Sequence, residues 1–232
     1  FISIIGKKMN CDVVILCGGL GTRIKKVVTD VPKVLAPINN IPFIKILLQQ
    51  LEKKIEGKVI LALGYKSEMV QKYCCGLPLK NNISYSVENK PLGTGGALKK
   101  AITLSLTPDV LVLNGDTYID MEFDRLIHHH RQLQSDITMA CVDMPDASRY
   151  GAVTTDKHTN KVISFKEKTT VAQAGNINAG AYVINKKILN DLPDNTFISL
   201  EKEVLPQYVG KEFYSYLSSG KFIDIGTEQS YN

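Results

Sequence analysis

The chain has 232 residues, a length typical of one large domain or of one domain with a small additional lobe. Hydrophobic residues make up 44% and charged residues 22% of the sequence, which is close to the average for globular domains and argues against a disordered, collagen-like or coiled-coil chain. The formal net charge of +5 is too small to indicate a nucleic-acid partner, and a small anionic ligand would suit it equally well.

The cysteines and the apolar runs bear on the compartment. The five cysteines are odd in number and include no Cys-x-x-Cys pair, so we expect reduced thiols in a cytoplasmic protein rather than a disulfide framework or a zinc site. No apolar run reaches the roughly 18 residues of a membrane span, and we expect no membrane partner. A chain does not normally start with Phe1, so residues 1–8 are expected to be a cloning remnant and Met9 the native start.

The first half of the chain alternates short apolar runs with amphipathic ones. In chain order, the pattern predicts a strand at 12–17, a helix at 42–55, a strand at 58–63, a helix at 67–73 with Ser67 as its candidate cap, a strand at 83–87, a helix at 95–102, a strand at 109–113 and a helix at 123–134. Strands rich in Val, Ile and Leu that alternate with helices indicate a parallel α/β sheet. Ligands of such sheets bind beyond the carboxyl ends of the strands.

From about Ile137 the pattern changes to short strands separated by turns. These strands are predicted at 138–142, 152–155, 162–166 and 179–184. The change predicts a mixed sheet and divides one domain, residues 9–232, into two halves at about residue 136.

The segment Leu16–Ile24 is the strongest candidate for a ligand site. Its three glycines follow a buried strand directly, so the backbone can approach a ligand closely and point its N–H groups at phosphate. Two cations can add to the grip on a polyphosphate. The residues are Gly18, Gly19, Gly21, Arg23 and Lys33. On the glycines alone, a simple turn with solvated basic residues is an equally good interpretation. A dinucleotide fingerprint would need glycine where Ile24 stands, and a P-loop Gly-Lys-Ser/Thr is missing.

Six further segments extend this motif into a family resemblance. Gly-Gly-x-Gly-Thr-Arg with Pro-Lys about ten residues later resembles the signature of sugar-nucleotide pyrophosphorylases, a nucleotidyltransferase family. The matching segments, in order, are Glu88–Leu98, Asn114–Asp116, Arg149–Gly151, Phe165–Lys168, Asn178–Tyr182 and Phe222–Thr227. The resemblance implies a Rossmann-like three-layer α/β/α fold with a mixed, mainly parallel central sheet and a small sugar-binding subregion. It makes 9–136 the nucleotide-binding half and 137–232 the sugar-phosphate half.

The resemblance also implies a reaction. An oxygen of a sugar 1-phosphate attacks the α-phosphorus of a nucleoside triphosphate, and pyrophosphate leaves. The nucleophile is already anionic, so the protein has to hold two anions in line and stabilise charge rather than supply a Ser, Cys or His. The implied catalytic residues are Arg23, Lys33 and Asp116. The implied nucleotide-binding residues are Leu16, Gly18, Gly19, Gly21, Thr22, Arg23, Glu88, Pro91, Gly93 and Thr94, and the implied sugar-phosphate residues are Gly151, Glu167, Lys168, Asn178 and Gly180.

Two aspartates are the expected metal ligands. Asp116 ends a buried strand, and Asp224 lies in an otherwise apolar run. Carboxylate oxygens suit Mg²⁺, which takes one or two carboxylates together with substrate phosphates. By resemblance the pair binds Mg²⁺; the alternative is a turn-capping Asp116 and a salt-bridged Asp224.

Glu88 bears on the choice of base. Guanine presents N1–H and its 2-amino group as adjacent donors, and a carboxylate can accept from both, whereas it would be repelled by the carbonyls of uracil or thymine. Glu88 therefore favours GTP. Within the family the chain most resembles the bacterial D-glycero-α-D-manno-heptose 1-phosphate guanylyltransferases, which supply GDP-heptose for capsule or surface-layer glycans.

Several alternatives stay open. The sugar 1-phosphate could be mannose 1-phosphate, or the enzyme could transfer from UTP or dTTP to a hexose or amino-sugar 1-phosphate. A catalytically silent nucleotide-sugar sensor is disfavoured, because all the implied ligands are present. The sequence does not decide whether the chain forms a homodimer. The run His128–His130 is predicted to lie on a solvated helix face, since three consecutive histidines cannot converge on one metal.

Overall fold

The computed structural model describes residues 9–19, 31–78, 82–148, 150–166 and 174–226. Residues 1–8 lie outside this set, and so do five of the predicted site residues, namely Gly21, Thr22, Arg23, Glu167 and Lys168.

The described residues form thirteen strands and four α-helices. The strands are β1 Asp12–Leu16, β2 Pro37–Ile38, β3 Ile41–Pro42, β4 Val59–Leu63, β5 Ile83–Val87, β6 Asp109–Asn114, β7 Thr117–Ile119, β8 Ile137–Met144, β9 Ala152–Thr155, β10 Val162–Lys166, β11 Gly175–Asn185, β12 Phe213–Ser218 and β13 Phe222–Asp224. The helices are α1 Phe43–Lys54, α2 Ser67–Cys75, α3 Gly93–Ala101 and α4 Phe123–Gln132. None of the helices in the described ranges is long and apolar enough to cross a membrane.

The central sheet is mixed, as the sequence predicts. Its strand order is β10-β9-β11-β6-β1-β4-β5, and β8 pairs with both β11 and β12. The strands from the first half, β6, β1, β4 and β5, are all parallel. Strand β11 runs antiparallel to β6, β8 and β9 and so joins the second half to the first. The carboxyl ends of β1, β4, β5 and β6 therefore meet at one edge of the sheet.

Alternation along the central strands builds three layers. In β1, Val13 and Ile15 pack into the core on one side of the sheet, whereas Val14 packs into the core on the other. Strands β4 and β6 divide their side chains in the same way, because successive side chains of a strand point to opposite faces. Helices α1, α2 and α4 cover the first face, and α3 covers the second. The α/β/α arrangement is thus confirmed.

The helix boundaries differ in part from the predicted ones. Ser67 is not the cap of α2 but its first helical residue, and the preceding Lys66 has a left-handed backbone with φ of 54°. Helix α3 begins at Gly93 rather than at Gly95, and α4 ends at Gln132, two residues early. Helix ends depend on local backbone geometry that the hydrophobic period does not encode.

The prediction of a solvated histidine face on α4 is wrong. His130 is 1% exposed, and its Nδ1 lies 2.9 Å from the hydroxyl oxygen of Thr138 on β8. His129 packs edge-on against the ring of Tyr216, and only His128 is exposed. His130 follows Phe123, Leu126 and Ile127 at the i, i+3, i+4, i+7 spacing of one helix face, so it lies on the packed face of α4.

A two-stranded sheet lies apart from the main one and sets the carboxyl-end geometry. Strands β7 and β13 pair antiparallel, with Thr117 opposite Asp224. The N–H of Ile225 also donates to the backbone oxygen of Asp116 at 2.9 Å. This pairing brings residues more than a hundred positions apart in the chain to the same place.

Candidate active site

A cavity of about 780 Å³ opens at the carboxyl ends of the parallel strands. Its wall includes the residues that follow β1, β4 and β6, among them Gly18, Gly64 and Asp116. The other side is closed by residues of β11 and the segments around it, such as Asn178 and Gly180. The volume is that of a site for small molecules, and the position is the one expected for an α/β sheet.

All of the predicted site residues that lie in the described ranges line this cavity. They are Leu16, Gly18, Gly19, Lys33, Glu88, Pro91, Gly93, Thr94, Asp116, Gly151, Asn178, Gly180 and Asp224. Motifs that are dispersed over two hundred positions of the sequence thus meet on one surface. Their individual roles in binding remain predictions, because the contacts described below are contacts within the protein.

One group consists of a lysine and two aspartates. The Nζ of Lys33 donates to Oδ2 of Asp116 at 2.5 Å, and the two side chains are 12% and 31% exposed. A Cβ atom built on Gly226 would lie 2.5 Å from Oδ1 of Asp224 and 3.0 Å from the Lys33 ammonium. The ammonium is therefore paired with Asp116, and the Asp224 carboxylate, whose Oδ1 accepts the Gly226 N–H at 2.5 Å, lies near the same glycine.

Glu88 follows β5 and occupies a narrow place between two backbone turns. A Cβ on Gly64 would meet Oε1 of Glu88 at 2.6 Å, and one on Gly18 would meet it at 2.9 Å. The absence of side chains at these two glycines is therefore what admits the carboxylate. Oε2 accepts the N–H of Leu92 at 3.1 Å. Burial raises the pKa of Glu88 above its ordinary value, while the Leu92 N–H and the charge of Lys100 oppose this.

The start of α3 is held against a distant segment. Gly93 has φ of +69°, a left-handed conformation that side chains disfavour. The N–H groups of Gly95 and Gly96 both donate to the carbonyl oxygen of Ile198, at 2.8 and 3.2 Å. Thr94 donates its hydroxyl proton to Oε2 of Glu201 at 2.7 Å. The loop predicted to bind the nucleotide is thereby fixed to residues of the second half.

The residues predicted to bind the sugar phosphate form a second, partly aromatic wall. Asn178 donates from Nδ2 to the Tyr182 hydroxyl at 2.6 Å and accepts the Gly180 N–H at 3.0 Å. Its own N–H donates to the Gly151 backbone oxygen at 3.1 Å. The ring of Phe165 lies close to Gly151, where an added Cβ would touch it at 3.1 Å. Asn178 is therefore held in one orientation before any ligand binds.

The cavity contains residues that the sequence analysis did not single out. Three of them are aromatic, namely Tyr150, Phe165 and Phe222. These three lie in segments that carried the family resemblance, so the motifs could have identified them. Two others, Phe197 and Glu201, lie in a stretch where no element was predicted. Phe197 is 64% exposed although it is large and apolar. Single helical turns and the loops beside them are too short for a hydrophobic period, so periodicity could not identify these two residues.

Known proteins match the chain over most of its length. The model of the family described as Nucleotidyl transferase matches residues 12–232. D-glycero-alpha-D-manno-heptose 1-phosphate guanylyltransferase of Aneurinibacillus thermoaerophilus is 38% identical over 221 residues, 95% of this chain and 95% of that protein. The protein of the same name from Campylobacter jejuni is 39% identical, with 94% and 96% covered.

A solved structure agrees with the fold. HddC from Yersinia pseudotuberculosis, complexed with GMP-PN, superposes with a TM-score of 0.84 at 36% identity, covering 95% of this chain and 96% of that one. The order of the motifs, the mixed sheet and the cavity at its carboxyl edge agree with these matches. The chain belongs to the nucleotidyl transferase family.

Proposed function

We propose that the chain transfers GMP from GTP to a sugar 1-phosphate, with GDP-sugar and pyrophosphate as products. The observation that carries the proposal is the cavity itself. Its wall joins the lysine–aspartate cluster around Asp116 to the Glu88 recess on one side and to Asn178 on the other. Charged side chains that lie between Glu88 and the hydrogen-bonding wall around Asn178 suit a reaction in which a nucleotide and a sugar phosphate are held in line.

The preferred sugar is D-glycero-α-D-manno-heptose 1-phosphate. Two proteins of that specificity by name match about 95% of the chain. A mannose 1-phosphate guanylyltransferase is the second candidate, because one from Mycobacterium tuberculosis is 30% identical over 95% of this chain, although the chain covers 62% of that protein. The product GDP-heptose would serve capsule or surface-layer glycans.

The proposed reaction forms no covalent bond between the protein and a substrate. An oxygen of the sugar phosphate forms a bond to the α-phosphorus of GTP, and the bond from that phosphorus to the bridging oxygen breaks as pyrophosphate leaves. Lys33, with its ammonium 2.5 Å from Asp116, supplies positive charge where the phosphates meet. Gly18 and Gly19 bring backbone close to the ligand without side chains. Positioning and charge stabilisation then account for the rate.

A divalent metal fits beside Asp116 and Asp224. The two carboxylates would supply hard oxygen ligands, and the ion pair between Asp116 and the Lys33 ammonium supports this, because a cation already lies against one of them. In the described ranges, no three His, Cys, Asp or Glu side chains group as metal ligands. We therefore propose Mg²⁺, which binds one or two carboxylates and completes its shell with phosphate oxygens and water. When bound, it would neutralise charge that develops on the phosphates.

The residues outside the described ranges keep their proposed roles. Gly21, Thr22 and Arg23 would complete the phosphate-binding turn, and Glu167 and Lys168 would bind the sugar hydroxyls and the sugar phosphate. We also place the reaction in the cytoplasm, because all five cysteines are free thiols, as suits a reducing compartment.

Pyrophosphate release tests the proposal. The chain is incubated with Mg²⁺ and each of four nucleoside triphosphates, against heptose, mannose, glucose and N-acetylglucosamine 1-phosphates. We expect release with GTP and the heptose, with mannose 1-phosphate as the slower substrate. Release with UTP but not GTP would contradict the role of Glu88. Binding of GDP-heptose without any release, for every pair, would instead support the silent sensor.

A further inference from the structure

We propose that Glu201 is a positioning residue for this transfer, which fixes the start of α3 through the hydroxyl of Thr94. The kinetic consequences rest on the proposed function, whereas the contacts themselves do not. Glu201 lies in the irregular turn Leu200–Val204 of the second half, and Thr94 lies in the first turn of α3. Both side chains line the cavity.

The hydroxyl of Thr94 is used in both directions within the protein. It donates to Oε2 of Glu201 at 2.7 Å and accepts the backbone N–H of Leu200 at 2.8 Å. A hydroxyl has one proton to donate in a hydrogen bond, and the Thr94 hydroxyl donates it to the Glu201 carboxylate. Thr94 therefore serves as a link between two segments rather than as a donor to a substrate phosphate.

The backbone on either side of this link is joined as well. Ile198 donates its N–H to the Leu92 carbonyl at 2.9 Å and accepts from Gly95 and Gly96. A Cβ on Gly93 would lie 2.5 Å from the Ile198 oxygen, so the two segments are in close contact. The N–H groups of Gly95 and Gly96 are thus occupied by a protein carbonyl, and this part of α3 forms a wall of the cavity.

The charge of Glu201 needs an explanation in such a cavity. A carboxylate that lines a site for two phosphorylated substrates repels both, so it opposes their binding. A hydrogen bond from a hydroxyl to a carboxylate is about twice as strong as one between neutral groups. The bond to Thr94 thereby supplies a reason for a charged rather than a neutral acceptor at this position. The fixed start of α3 then holds the segment that is predicted to bind GTP in place before GTP binds.

The chain offers a matched control two residues away. Glu203 lies in the same turn and is also hydrogen-bonded, since its Oε2 accepts the Ser199 N–H at 2.7 Å. It is exposed and does not line the cavity. Glu203→Ala thus removes a carboxylate and a local bond from the same turn without touching α3.

The experiment is a double-mutant cycle on the KM for GTP, measured by pyrophosphate release. Glu201→Ala and Thr94→Val are each expected to raise this KM about 10-fold, with a smaller change in kcat, because a charge-assisted hydrogen bond that orders the loop is lost. Thr94→Val also removes the acceptor of the Leu200 N–H, and Glu201→Ala also removes the contact with the Ser199 hydroxyl at 3.4 Å. Because both substitutions break the bond between Thr94 and Glu201, the double variant is expected to show a rise well below the product of the two single rises. Glu201→Gln keeps an acceptor and is expected to recover much of the loss, and Glu203→Ala is expected to match the unmodified chain.

Hydrogen exchange gives a readout that needs no activity. Deuterium uptake in peptides that cover 88–98 is expected to rise in Glu201→Ala and Thr94→Val and to stay level in Glu203→Ala. A 100-fold, additive rise of KM in the double variant, or unchanged uptake in 88–98, would overturn the positioning role. If the unmodified chain released no pyrophosphate, the proposed function would fail, and the exchange measurement would still decide whether the link exists.

Discussion

Aspartates lie at both ends of the central strands, but their exposure and their surroundings differ. At the amino end, Asp12 opens β1 and Asp109 opens β6, with 4% and 8% exposure. At the carboxyl end, Asp116 follows β6 with its side chain 31% exposed toward the cavity. Four donors from the protein fill the Asp12 carboxylate, whereas Asp116 accepts from Lys33 and also faces the cavity that a ligand would fill.

Asp12 shows how complete the amino-end bonding is. Its Oδ2 accepts the N–H of Leu106 at 2.6 Å, the N–H of Thr107 at 3.3 Å and the hydroxyl of Ser105 at 3.0 Å. Its Oδ1 accepts the N–H of Lys58 at 2.9 Å. Burial alone would raise the pKa of Asp12, but these hydrogen bonds outweigh it and hold the pKa below its ordinary value. A saturated carboxylate of this kind stabilises the fold and has no capacity left for a ligand.

A buried strand with an aspartate at its end is therefore not by itself a site. What separates the two ends is whether a carboxylate, besides its partners within the protein, also faces the cavity. The largest effects are expected when one carboxylate is removed at each end: turnover should fall at the carboxyl end, and the free energy of unfolding should fall at the amino end.

Asp116→Asn and Asp224→Asn are expected to lower turnover by about 10³-fold, which corresponds to about 4 kcal/mol of activation free energy. The amide keeps the shape but removes the negative charge that a divalent cation needs. The measurement is pyrophosphate release at saturating GTP and sugar phosphate. Asp109→Asn is the control, with near-normal turnover for the folded enzyme. Turnover above one tenth of normal in either variant would remove that residue from the metal pair.

Asp12→Ala is expected to reduce the free energy of unfolding by about 3 kcal/mol, because it leaves buried N–H and hydroxyl groups without their acceptor. Urea denaturation measures the loss, and turnover of the folded fraction should be unaffected. Asp194→Ala is the matched control, because that side chain is 82% exposed and its ion pair with Lys99 is long, at 4.0 Å. This substitution should change the free energy of unfolding by less than about 0.5 kcal/mol. A cost below about 1 kcal/mol for Asp12→Ala would mean that the network is not stabilising.

The sequence predicted the parallel core of the sheet well because its central strands are continuous apolar runs. The predicted strands 12–17, 58–63 and 109–113 agree with β1, β4 and β6 to within one residue at each end. Periodicity reports burial, and burial is what these strands have in common. The helix ends were less accurate, as α3 shows, because its start depends on a left-handed Gly93 that packs against Ile198.

The site could be predicted only where a motif carried it. Asp116 and Asp224 were predicted from their place in the motifs, and the structure brings them together through the pairing of β7 with β13 and the hydrogen bond from the Ile225 N–H to the Asp116 backbone oxygen. Glu201 could not be predicted, because its role depends on a contact with Thr94 across 107 positions of the chain. The burial of His130 could have been predicted, because this residue continues the helical period of the apolar residues on α4, whereas its contact with Thr138 on another element could not.

Glu88→Gln tests the role of a carboxylate at the carboxyl end of the strands in the choice of base. The carboxylate is expected to read both N1–H and the 2-amino group of guanine, so the unmodified chain should prefer GTP to ITP, which lacks that amino group. Loss of the charge is expected to reduce the ratio of kcat/KM for GTP over ITP by about 10-fold. Glu68→Gln, an exposed change on α2, serves as the control. An unchanged ratio in Glu88→Gln would show that the base is read elsewhere.

Acid should separate the two ends without any substitution. Burial raises the pKa of Glu88, so its charge is lost first as the pH falls, and the preference for GTP over ITP should decline while the chain is still folded. Asp12 and Asp109 have lowered pKa values, Asp12 through its hydrogen bonds and Asp109 chiefly through the neighbouring His130. Groups of this kind add stability above their unfolded pKa of about 4 and lose it as the pH falls through the lower folded value.

The expected order is therefore loss of base preference first and loss of stability second. The stability loss should have a slope of at most about 1.4 kcal/mol per pH unit for each proton taken up. Urea midpoints between pH 7 and pH 2.5, with the GTP to ITP ratio at each active pH, measure both. Asp109→Asn should flatten the stability slope below pH 4 and leave the base-preference curve in place. If both properties declined together, or if the variant moved the preference curve, the two ends of the sheet would be coupled rather than independent.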